Sequence, residues 1–92
     1  MEMSLQDAAR LRAVRAAVEN ELRLFDETLP RVSSPALKRT LAIARRDVAN
    51  IEPDILRHVA ESPDPGTLLA GAELSLARAL GVRQLAQDSS RS

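Results

Sequence analysis

The sequence contains no cysteine, no tryptophan and no tyrosine. Without cysteine there can be no disulfide, no thiolate metal site and no thiol nucleophile. The one histidine, His58, cannot hold a metal without two or three further ligands of suitable type. Charge of one sign is also lacking: thirteen Lys and Arg balance thirteen Asp and Glu, for a net charge of zero. A strong field toward nucleic acid or a membrane surface is therefore not the default reading. No run approaches the ~18 apolar residues of a membrane span. The start, Met1-Glu2-Met3-Ser4, carries no apolar stretch of the signal-peptide kind. The expectation is a cytoplasmic protein with no membrane contact and no cofactor.

What is present is a helix composition. Ala and Leu dominate, and both lose little freedom in a helix. Lys38 is the only lysine among many arginines, a bias that together with abundant Ala fits a GC-rich coding genome of bacterial type. Ninety-two residues make one domain. A chain of this size buries only about 60–65% of its unfolded surface, so its core is marginal. With disulfides excluded, oligomerisation or very regular helix packing is left to reinforce it.

Three helices are legible. The first is expected over about 5–29, opened by Ser4-x-x-Asp7, a capping-box variant, and closed by Pro30. Its stripe is Leu11, Val14, Val18, Leu22, Phe25 and Leu29. The second is expected over about 35–61, with Ser34 as cap and Pro35 at the first helical position. Its stripe is Leu37, Leu41, Ala44, Val48, Ile51, Ile55 and Val59, which runs straight through Pro53. Proline removes a hydrogen bond and crowds the carbonyl of Ala49, so a kink near Pro53 is predicted. The third helix is expected over about 66–80, capped by Asp64 or Thr67 after the breaker run Ser62-Pro63-Asp64-Pro65-Gly66. Gly81 fits its C-terminal cap. A short turn over 82–87 and a disordered tail over 88–92 would follow.

The architecture these elements predict is an all-α three-helix bundle, a single helical domain over 1–87. The first two helices are both basic early and acidic late, so antiparallel packing sets unlike charges side by side. The third helix is apolar on two sides. Leu68, Leu69, Ala72, Leu76, Ala79 and Leu80 make one face, and Ala70, Leu74 and Ala77 a second. Two neighbours in a three-helix bundle cover one broad face, not two, so the second is expected to meet another chain. The second helix carries a comparable strip of Ala42, Ala49, Leu56 and Ala60. Leu24 and Ile43 also lie off their stripes. The expected interface is Leu69, Leu74, Ala77, Leu56 and Ala49, with Arg39, Arg45 and Arg46 as a polar rim or anion contact. Homodimerisation is the expected use, together with binding of another protein.

The functional expectation is thus a non-enzymatic protein-interaction module: an adaptor, an inhibitor or an accessory subunit. One alternative is nucleic-acid binding. Leu76-Ala77-Arg78-Ala79-Leu80-Gly81-Val82 looks like the first helix and turn of a helix-turn-helix, yet little chain follows to serve as a recognition helix. Another is a small dimeric helical enzyme in which Arg12, Arg15, Lys38, Arg39, Arg45 and Arg46 hold a dicarboxylate, although no spacing compels it. Around His58, the spacings Asp54–His58 and Arg57–Glu61 predict ion pairs on a solvated helix face.

Overall fold

A computed structural model describes residues 3–91, the last two by their backbone only. Its described residues form three α-helices and no strand: α1 (Leu5–Thr28), α2 (Pro35–Ile51) and α3 (Pro65–Arg91). The helix starts follow local chemistry. Ser4 Oγ accepts from the Asp7 N–H at 3.0 Å, and Ser34 Oγ accepts from the Leu37 N–H at 3.3 Å. Of the two candidate caps for α3 it is Asp64 that acts, its carboxylate accepting from the Thr67 N–H at 3.3 Å and from the Thr67 hydroxyl. Each bond satisfies a backbone or side-chain donor that the first helical turn leaves open.

Cross-helix pairs give the directions. Arg10 meets Glu73, Glu21 meets Arg83 and Thr28 meets Gln87, so numbers rise together and α1 and α3 run parallel. Arg45 of α2 meets Asp26 near the end of α1, across a short connection through the 3₁₀ turn Leu29–Arg31. The bundle therefore runs up, down and up, with α1 and α2 antiparallel as their charge pattern predicts. It is elongated, 50 × 18 × 16 Å.

The core is a heptad-like seam. Val14, Val18 and Phe25 from α1 meet Leu41, Ala44, Val48 and Ile51 from α2 and Leu69, Ala72, Leu76 and Ala79 from α3. Polar side chains complete it: Glu21 and Thr28 on α1 and Arg83 on α3 are buried. Thr28 is satisfied, its hydroxyl donating to the Leu24 carbonyl at 2.7 Å.

Two expectations about the helices are corrected. The third helix does not stop at Leu80. Gly81 keeps an ordinary negative φ, and the helix continues to Arg91, taking in the turn expected over 82–87 and the tail expected from residue 88. Residue 92 lies outside the described residues. The physical reason is tertiary: past Gly81, Arg83 pairs with Glu21, Ala86 is fully buried and Gln87 reaches Thr28, so packing on α1 outweighs the glycine.

The second correction is one of register. The bend predicted at Pro53 is a π turn over Glu52–Leu56, followed by a 3₁₀ turn at Val59–Glu61. The Arg57 N–H donates to the Glu52 carbonyl at 2.9 Å, five residues back. Proline offers no N–H, and the wider turn absorbs the break. The extra residue rotates the chain beyond it, so Leu56 enters the core and Ile55 is only half-buried. Neither ion pair expected around His58 forms, because the chain there has lost α-helical spacing; His58 itself is exposed.

Candidate protein-interaction surface

The bundle has three seams, and they differ. The α1–α3 seam is held by two charge-assisted contacts. Arg10 Nη2 reaches Glu73 Oε1 at 2.6 Å on the surface. Deeper, Arg83 grips Glu21 with two parallel bonds, Nε to Oε2 and Nη2 to Oε1, each 2.9 Å. Those two side chains are only 8% and 10% exposed, yet among the described residues no buried side-chain polar atom lacks a partner. The α1–α2 seam is closed by Arg45, whose Nε donates to Asp26 Oδ1 at 2.7 Å. These guanidinium partners hold the Asp26 and Glu73 carboxyls below the ordinary carboxylate range, chiefly through the hydrogen bonds they donate.

Between α2 and α3 no ion pair forms among the described residues. A groove of about 310 Å³ lies there instead. Ala44, Ile51, Ile55, Ala79 and Val82 give it an apolar floor, and Asp47, Asn50, Asp54, Ser75 and Arg78 line it with polar groups. Asp47, Asp54 and Arg78 have no ion-pair partner among the described residues. Two of the lining residues, Asp54 and Ile55, belong to the π turn.

Large exposed apolar side chains flank this seam. Leu74 is 53% exposed and Leu85 68% on α3, while Ile43 is 55% exposed on α2, one turn before Asp47. On α3 the outermost row, directly opposite the core row, is Ala70, Leu74, Ala77, Gly81, Leu85 and Asp88. It carries a single charge, at its end.

The residues expected at an interface are divided by the structure. Leu74 and Ala77 are exposed on this outer row. Leu69 and Leu56 are core residues and leave nothing for a partner: Leu69 sits on the inner row of α3, and the π turn carries Leu56 inward. Ala49 is half-buried, one turn past Arg45, on the side of α2 that faces α1. Arg39 and Arg46 are exposed on the outside of α2, and Arg45 is engaged by Asp26, so the three do not gather into one anion site. Arg12, Arg15 and Lys38 are exposed, and none of the six basic residues weighed for a dicarboxylate lines the groove. The continuous α3 also removes the turn that a helix-turn-helix requires at Gly81. Sequence reasoning misses Leu85, because 82–87 reads as a turn. A 3–4 spacing counted onward from Leu74 through Gly81 finds it.

Among the described residues no cluster of His, Asp or Glu is disposed to hold a metal, and no helix is long and apolar enough to cross a membrane. Comparison with protein-family models, with characterised proteins and with solved structures finds no match.

Proposed function

We propose that this chain is a helical protein-interaction module of the cytoplasm. It docks a partner on the outer row of α3 and the adjoining α2–α3 groove, and carries no chemistry of its own. One observation supports this reading above the others: Leu74 and Leu85, two large leucines eleven residues apart on one helix face, stand more than half exposed opposite the core. Scattered exposed leucines are ordinary, but these two share one face with Ala70, Ala77 and Gly81, which makes an apolar row along the helix. The spacing suits an amphipathic partner helix laid against the face. Asp47, Asp54 and Arg78 supply polar contacts at its edge.

The test is substitution of Leu74→Glu and Leu85→Glu, with circular dichroism to verify the fold. Both side chains point into solvent, so helicity and melting should stay close to those of the parent. Association, read as solution mass and as capture of partners, is expected to fall at least tenfold. Unchanged association in the doubly substituted chain would overturn the proposal.

A further inference from the structure

Resting on that reading, we infer that the occupant of the outer α3 face is a second copy of this chain. The two α3 helices lie antiparallel about a two-fold axis passing between Ala77 and Arg78.

The outer row is complementary to itself in this orientation only. A two-fold axis at that point sets Leu74 over Gly81 of the second copy, and Leu85 over its Ala70. Each large side chain meets a recess, and the symmetry repeats both contacts. A parallel pairing would stack Leu74 on Leu74 and Gly81 on Gly81, leaving bulges and gaps.

Gly81 fits the same arrangement. A glycine in the middle of a 27-residue helix weakens that helix. A Cβ built on Gly81 would meet no atom within 4 Å, as at Gly71, and both have ordinary φ; of the two, Gly81 is the one on the outer row. A leucine arriving from another molecule would use the space that the missing side chain leaves.

At the end of the row the helix dipole favours this pairing, while the two Arg78 side chains flank the axis on the exposed groove side, where solvent screens them. Asp88 lies near the C-terminal end of its own α3, where the helix dipole is negative and an acidic residue is poorly placed. The antiparallel arrangement brings it beside Thr67 of the second copy, at that helix's N-terminal turn, where the dipole is positive.

The native chain has no cysteine, so single-cysteine variants report geometry cleanly. In the unmodified chain, light scattering over a concentration series is expected to give about twice the 10.0 kDa chain mass. Under mild oxidation Ala77→Cys, next to the axis, should cross-link to itself. Leu74→Cys alone should not, whereas a mixture of Leu74→Cys and Gly81→Cys should. A Cβ at Gly81 meets no atom of its own chain within 4 Å, so Gly81→Leu is expected to leave the fold intact and to weaken the dimer at least tenfold. A monomer at every concentration overturns this inference. The docking proposal then stands or falls separately on whether Leu74→Glu abolishes capture of a different protein. A dimer in which Leu74→Cys cross-links to itself overturns the antiparallel geometry.

Discussion

Glu21 and Arg83 stand where a helical bundle ordinarily places apolar side chains. Glu21 follows Val18 by three residues in the α1 seam, and Arg83 follows Ala79 by four in the α3 seam. Taking both charges out of water is costly, and only their paired, two-bonded geometry offsets it. Removing one partner is therefore expected to be far worse than removing both. Glu21→Leu or Arg83→Met alone should destabilise the fold by about 3–5 kcal/mol, since each strands a buried charge. The double variant should recover most of that loss. Chemical denaturation of the four chains measures this directly, and additive losses in the double variant would refute it. The pair is not legible in the sequence. Each residue reads locally as surface charge, and its burial depends on a partner 62 residues away. The caps Ser4, Ser34 and Asp64 are legible for the opposite reason: a cap bonds to a backbone three residues along, so its whole context lies in the local sequence.

At the scale of the element, Pro53 shows where periodicity stops being a guide. The stripe of α2 runs unbroken on paper, and proline announces a break, but neither tells how the chain will absorb it. The π turn over Glu52–Leu56 advances the register by one residue and exchanges Ile55 for Leu56 in the core. Truncation separates the two registers. Leu56→Ala should cost about 2–5 kcal/mol, the range for a buried leucine whose site collapses only partly. Ile55→Ala, at a half-buried position, should cost markedly less. The reverse order of melting temperatures would restore the uninterrupted stripe. Gly81 misleads in a similar way. A glycine after an apolar helix end is a sound stop signal, and packing of Arg83 and Ala86 on α1 overrides it.

Across the whole molecule, carboxylates tie the three helices together. Asp26 links α1 to α2, Glu73 links α3 to α1, and Asp64 holds the start of α3. All three are shifted below their ordinary range by the groups that donate to them: Arg45, Arg10, and the hydroxyl and N–H of Thr67 respectively. A carboxyl whose folded value is depressed contributes stability that is complete above its unfolded value and is lost as pH falls through the folded one. These contributions should therefore persist at neutral pH and disappear progressively below about pH 4, the unfolded carboxylate range. Melting temperatures from pH 7 down to pH 2 test this, and in the triple variant Asp26→Asn, Asp64→Asn, Glu73→Gln the acid decline should be shallower. A decline equally steep in that variant would place the acid sensitivity elsewhere.

The parallel pairing of α1 with α3 also makes the last seam a long-range one. The α1–α2 hairpin closes over a short connector, whereas Glu21 finds its partner Arg83 only 62 residues further along. Loop closure over that span is an entropic cost met late. A chain lacking α3 would thus present Glu21 as a hydrated carboxylate on the open side of the α1–α2 pair, a charge that only Arg83 covers in the finished core.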